Sequence, residues 1–203
     1  MFTGLIENTG SVKTFSGGNL TVHTTLSESA TMGDSIAVDG SCLTVSGIVH
    51  QGLLFHCSAE TVSRTVISRY YPGTEVNLER PLKLSDGLHG HLVTGHVDET
   101  ASVLKIGRSE QDMTVWISCS RKYSTLLVEK GSVAVSGISL TVASLERDRF
   151  SVALIPETVR GTTVGNWKPG THVNVEYDIV GKYVKKQTDA AIGERRLRDY
   201  LEQ

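Results

Sequence analysis

The chain lacks an excess of either charge. Twenty basic and 22 acidic residues leave a formal charge of −2, so it carries no electrostatic footprint for nucleic acid or for an acidic membrane. A small-molecule partner is favoured. Paired cysteines are missing too: Cys42, Cys57 and Cys119 are odd in number and show no CxxC spacing, which argues against a disulfide framework or a zinc knuckle. No stretch approaches the roughly 18 apolar residues of a membrane span. The opening MFTGLIENTG has neither a basic segment nor a long apolar run, unlike a secretory signal. These absences lead to the expectation of a soluble, cytoplasmic protein.

What the chain has is a duplication. Residues 35–45, SIAVDGSCLTV, and 132–142, SVAVSGISLTV, are identical at seven of eleven positions with a shift of 97. At the same shift Glu60-Thr61-Val62 falls on Glu157-Thr158-Val159, and PGTEVNLE from Pro72 falls on PGTHVNVE from Pro169. Thr3-Gly4 pairs with Thr94-Gly95, and Ser11-Val12 with Ser102-Val103, at a shift of 91. A period this long is that of two small domains in tandem, not of a solenoid. Two similar domains offer two similar sites.

Each half reads as short strands between turns, with β-branched residues alternating with polar ones in segments such as LTVHTTL, SIAVDG and HVNVEYD. About six strands in a unit this small suit an antiparallel barrel. The expected fold is mainly all-β: a barrel over 1–87, a second over 88–184, and a C-terminal helix over 185–203. Helical pattern is sparse elsewhere, with a helix expected in RKYSTLLVEKG before Gly131. In the tail, Thr188 and Asp189 are candidate caps, and Ala190, Leu197 and Leu201 form one apolar face, weakened by Gly193. That helix reads either as a frayed terminus or as an oligomerisation element.

Six segments, MFTGLIE, GDSIAVDGSCLTV, HGHLVTGH, KGSVAVSGISLTV, LIPETV and TTVG, together resemble the riboflavin synthase family in order and spacing along essentially the whole chain. The resemblance implies a transferase in which two molecules of 6,7-dimethyl-8-ribityllumazine exchange a four-carbon unit, giving riboflavin and 5-amino-6-(D-ribitylamino)uracil. It implies no cofactor and no metal. It also implies a homotrimer with sites between unlike barrels of neighbouring subunits, and lumazine synthase as a further partner.

The resemblance carries the candidate residues with it. Catalytic candidates are His96, Cys42, Ser139, Asp178, Ser35 and Lys130. Substrate contacts fall in Phe2, Gly4, Leu5 and Ile6, then Cys42, Leu43 and Thr44, then His56, Cys57, Ser58, Ala59, Glu60 and Thr61, with Asn77 for ribityl hydroxyls. In the second half they fall in His91, Gly95, His96 and Val97, then Lys130, Ser139, Leu140 and Thr141, then Leu154, Ile155, Pro156, Glu157, Thr158 and Val159. Following the repeat, Gly4 is grouped with Cys42–Thr44, and Gly95 with Ser139–Thr141.

His96 is the first candidate proton carrier, because an imidazole titrates near neutral pH. A shared metal on His91 and His96 fits poorly, since residues five apart on a strand point to opposite faces. Cys42 matches Ser139 in the repeat, so a thiol and a hydroxyl hold the same place, which favours a hydrogen-bonding role over an obligatory thiolate. Lone histidines and turn glycines are as readily structural, and Phe2 is as readily a core residue. Ser136 stands where the family commonly has Asp, as at Asp39 in the first half, which removes a carboxylate near the second pocket. The alternative is a non-catalytic lumazine or flavin binder. A serine hydrolase is excluded, because no GxSxG elbow is present.

Overall fold

The computed structural model describes residues 1–109 and 112–201, the side chains of 193–201 excepted. The first half contains β1 (Asn8–Ser16), β2 (Asn19–His23), β3 (Ser35–Val38), β4 (Ser41–Val49), β5 (Gly52–His56), the short helix α1 (Ala59–Arg64) and β6 (Glu75–Glu79). The second contains β7 (Glu99–Arg108), β8 (Met113–Ser118), β9 (Ser132–Val135), β10 (Ile138–Leu145), β11 (Arg149–Leu154), α2 (Pro156–Gly161) and β12 (His172–Tyr177), followed by α3 (Ile179–Leu201). Each half closes into a six-stranded antiparallel barrel, in the cyclic orders β1-β2-β5-β4-β3-β6 and β7-β8-β11-β10-β9-β12.

Alternation turns these segments into barrel walls. In β8, Met113, Val115 and Ile117 are buried while Thr114, Trp116 and Ser118 are half-buried on the other face. A small barrel must also bend sharply, and matched irregularities supply the bends: the register shifts after Val12 and Val103, and after Val45 and Val142. The tight β3–β4 and β9–β10 turns put Asp39-Gly40 at φ 43° and 76°, and Ser136-Gly137 at 44° and 80°. This is the two-residue geometry that suits the twist of a hairpin.

The barrels meet through these two turns. A methyl group on Gly40 would come within 2.6 Å of Gly137 N, and one on Gly137 within 2.7 Å of Gly40 N, so neither position admits a side chain. Asn77 of β6 donates to Ser136 O (2.9 Å) and accepts from Thr163 N–H (2.8 Å), while Asn174 of β12 donates to Asp39 O (2.8 Å) and accepts from Val66 N–H (2.8 Å). Both asparagines are almost fully buried. Two amides thus clamp the barrels reciprocally, and the amide oxygen and nitrogen of Asn77, expected to meet ribityl hydroxyls, are both engaged in the interface.

Two helical expectations change. Residues 121–131 hold only a single 3₁₀ turn at Ser124–Leu126, because Leu127 turns into the barrel core and the following turn closes with Gly131 N–H on Val128 O (3.0 Å) and Lys130 at φ 67°. The terminal helix begins at Ile179 and not at 185, since Asp178 Oδ1 accepts from Val180 N–H (2.9 Å) and caps it there. The Leu197 and Leu201 side chains of the expected apolar face lie outside the described residues. Val180, Tyr183 and Val184 form an exposed apolar stripe nearer the helix start.

Candidate active site

The segment that precedes each barrel's first strand crosses to the other barrel. Phe2 and Val93 exchange backbone hydrogen bonds (Phe2 N–H to Val93 O 2.7 Å, Val93 N–H to Phe2 O 3.1 Å), so the two crossing straps run antiparallel side by side. Gly4 O then accepts from Ser139 N–H (2.8 Å) in the second barrel, and Gly95 O accepts from Cys42 N–H (2.9 Å) in the first. The grouping read from the repeat is therefore exchanged: Gly4 belongs with Ser139, and Gly95 with Cys42. A Cβ would approach Ser139 Cβ to 2.6 Å at Gly4 and Cys42 Cβ to 2.5 Å at Gly95, and both glycines have φ near +80°, so only glycine fits.

Each strap is held at its root by a carboxylate. Glu79 at the end of β6 accepts from Thr3 N–H (2.6 Å), Thr3 Oγ1–H (2.7 Å) and Gly4 N–H (3.0 Å). Glu176 of β12 accepts from Thr94 N–H (2.7 Å), Thr94 Oγ1–H (2.6 Å) and Gly95 N–H (2.9 Å). Burial raises the Glu79 pKa, against the opposing pull of these donors.

In the first-barrel site, Cys42, Glu60, Thr61, Gly95, His96 and Val97 share a cavity of about 260 Å³. Cys42 and Thr44 lie on the outer face of β4, opposite Ala37 and Ser35 of β3, while Leu43 and Val45 point into the barrel. Glu60 is paired with Arg64 (2.6 Å), and Ser58 caps α1 by accepting from Thr61 N–H (3.1 Å), with Ala59 exposed beside it. His56 is exposed, its Nδ1 3.3 Å from Asn19 Oδ1. Cys57 turns its side chain into the core, its N–H donates to Gly18 O (2.7 Å), and burial pushes its pKa to about 11. Leu43 and Leu140 likewise point into the barrels, and Phe2 is fully buried between them with Ala37, Val93 and Ala134.

The second-barrel site centres on His91, whose Nδ1 lies 2.7 Å from Ser139 Oγ. Burial lowers the pKa of His91, with Asp178 opposing that shift, so a neutral imidazole faces a hydroxyl. Its Nε2 is buried without a hydrogen-bond partner among the described residues. His91 lies on a strap, not on a strand, and the two histidines separate because each faces a different barrel. Leu5, exposed, and Ile6, packed on the second core, follow Gly4 on this side. Thr141 is exposed on the outer face of β10, as Thr44 is on β4. Leu154, Pro156 and Val159 line a separate hollow of about 270 Å³ with Arg108 and Arg160. Ile155 and Glu157 are exposed and Thr158 is half-buried. Lys130 is exposed in a left-handed conformation at a position where the first half has Gly33.

Both halves match the lumazine binding domain family, at residues 3–81 and 94–178. The chain is also 42% identical to the riboflavin synthase of Mycobacterium tuberculosis, over 92% of this chain and 97% of that one. The chain belongs to the riboflavin synthase family. Other members include the riboflavin synthases of Photobacterium phosphoreum, 36% identical over 92% of this chain and 88% of that one, and Bacillus subtilis, 35% identical over 91% and 88%. Solved structures of LumP with 6,7-dimethyl-8-(1'-D-ribityl) lumazine and with riboflavin share the fold, with TM-scores of 0.80 and 0.81, identities of 22% and 23%, and coverage of 87% of this chain and 99% of LumP.

Within this family frame the two candidate sites hold different groups, a hydroxyl–imidazole pair on one barrel and, on the other, a thiol that shares a cavity with His96. The Ser136 departure does not touch either. Asp39 and Ser136 line a hollow of about 520 Å³ between the barrels, where Asp39 accepts from Tyr70 O–H (2.7 Å) and Asn77 N–H (2.8 Å). The repeat counterpart of Tyr70 is Trp167, so the second half loses the carboxylate and its hydroxyl partner together. Glu79, Glu176, Thr3 and Thr94 were not singled out from sequence, although each lies in a repeated motif.

Proposed function

We propose that the protein is a riboflavin synthase, a transferase converting two molecules of 6,7-dimethyl-8-ribityllumazine into riboflavin and 5-amino-6-(D-ribitylamino)uracil. The atoms of the two substrates are those of the two products, so the reaction balances without an oxidant or reductant. The observation that carries the reading is a doubled site whose halves hold different reactive groups at one place, Cys42 and Ser139. A dismutation needs this combination: the same molecule recognised twice and treated differently. Holding both reactants together supplies about 7 to 11 kcal/mol of a two-molecule barrier.

In this reading, the neutral His91 imidazole with Ser139 Oγ takes the acidic proton from the C7 methyl of one lumazine. The carbanion left behind attacks the second lumazine, to which a water has added and which is held near Cys42 and His96. A second carbon–carbon bond closes the new ring, the donor's two ring carbon–nitrogen bonds break with its nitrogens taking up protons, and the added water is lost again. The ribityl chains lie against outward hydroxyls such as Thr44 and Thr141. The active form is a homotrimer that brings unlike barrels of neighbouring subunits face to face, and the exposed Val180, Tyr183 and Val184 stripe of α3 suits burial between subunits. The same reading places the enzyme in the cytoplasm, with lumazine synthase as its partner.

The test is incubation of the purified protein with the lumazine alone, in the presence of a chelator. One riboflavin should appear for every two substrates consumed. A one-to-one ratio, or dependence on added metal, would overturn the mechanism, and binding without consumption would favour the non-catalytic binder.

A further inference from the structure

We infer that Glu79 and Glu176 are positioning residues that work crosswise, each barrel's carboxylate setting the geometry of the other barrel's pocket. The inference rests on the proposed sites but not on their chemistry. Glu79 stands on β6 of the first barrel, yet the backbone it grips, Thr3-Gly4, ends on Ser139 of the second. Glu176 stands on β12 of the second barrel, yet Thr94-Gly95 ends on Cys42 of the first and carries His96 and Val97 into the cavity there.

Three donors converge on each carboxylate, and a carboxylate offers acceptors only, so two strap N–H groups and one hydroxyl are satisfied by a single side chain. The glycine in each strap is fixed from both ends, its N–H by the carboxylate and its C=O by the site residue's N–H. Displacing the carboxylate therefore displaces the backbone against which Ser139 or Cys42 is placed. A role confined to folding would loosen both pockets alike, or the barrel that holds the glutamate. Crosswise positioning loosens only the opposite pocket.

Glu79→Gln and Glu176→Gln discriminate these outcomes, because an amide keeps one acceptor for the threonine and turns a donor toward the glycine N–H. Each is made in the full chain in two backgrounds, Thr44→Arg to block the first-barrel pocket and Thr141→Arg to block the second, and titrated with riboflavin. With the first pocket blocked, Glu79→Gln should weaken riboflavin about tenfold, and Glu176→Gln should leave it within about twofold, as expected for one charge-assisted hydrogen bond lost. With the second pocket blocked the two variants should exchange roles. Amide hydrogen exchange gives a readout independent of any ligand: Glu79→Gln should speed exchange of the Ser139 N–H and not of Cys42 N–H, and Glu176→Gln the reverse. Equal loss at both pockets, or loss on the glutamate's own barrel, overturns the inference. If the glutamine variants unfold, Thr3→Val and Thr94→Val remove the hydroxyl's bond to the glutamate together with the one it accepts from Leu5 or His96 N–H, and should show the same crosswise pattern, with Thr3→Ser and Thr94→Ser restoring affinity and protection. A protein that binds no riboflavin refutes the proposed function and leaves the exchange result to decide the positioning.

Discussion

His91 and Ser139 are 48 residues apart in sequence and 2.7 Å apart between imidazole Nδ1 and hydroxyl Oγ. The contact exists because the strap carrying His91 passes over β10, where His91 N–H donates to Thr3 O (3.1 Å) of the other strap. A buried imidazole beside a hydroxyl is a proton acceptor, and removing either member should lower turnover by about 10²-fold. The double variant should lose little more than the single ones, because groups acting as a unit are not additive. Steady-state rates of His91→Ala, Ser139→Ala and the pair check this, with His96→Ala, expected to lose a similar factor, as the comparison for the opposite site.

The pH dependence follows from the same burial. Because the folded protein holds His91 below its ordinary value of 6.5, the base stays neutral and competent as the pH falls through 6.5. Turnover should therefore keep its plateau below that pH. The unfolded chain binds its proton first, so the fold's advantage from this group is present above pH 6.5 and is lost as the pH falls through the lower folded value. A rate profile that drops with a midpoint at or above 6.5 contradicts this.

Cys42→Ser should be mild, within about tenfold in turnover, because the matching place in the second barrel already holds a hydroxyl. Abolished activity in a folded Cys42→Ser protein would instead make the thiol essential.

Asp39→Asn should stabilise the protein at neutral pH. Burial raises the Asp39 carboxyl from 3.8 to about 6, so the native state favours the protonated form, and that contribution is full below pH 3.8 and lost as the pH rises through 6. An asparagine stays neutral throughout and tolerates the positive φ of the turn. The gain, on the order of 3 kcal/mol, should appear above pH 6 and vanish near pH 4 in thermal melts followed across that range.

Asn77→Ala should cost stability and spare ligand recognition. It leaves Ser136 O and Thr163 N–H buried without their partner, a loss on the order of 2 to 4 kcal/mol, or several degrees in melting temperature for a chain of this size. Riboflavin affinity measured well below the transition should be unchanged. A selective loss of affinity at unchanged melting temperature would return Asn77 to the pocket.

Much of this architecture is local in origin and so was legible in the residues. Period-two alternation sets which side of β8 faces inward, Asp39-Gly40 and Ser136-Gly137 demand tight turns, and the near-identity of 35–45 and 132–142 announces two copies of one barrel. Which copy completes which site was not legible. Repeat matching assigns Gly4 and Gly95 to their own halves, and only the tertiary structure sends each strap across, because the deciding hydrogen bonds join Gly4 to Ser139 and Gly95 to Cys42 over long stretches of chain. Asn77 is the same lesson in one side chain. An asparagine in a repeated strand reads equally as a ligand contact or an interface clamp, and only the tertiary structure joins both its amide groups to the backbone of the opposite barrel.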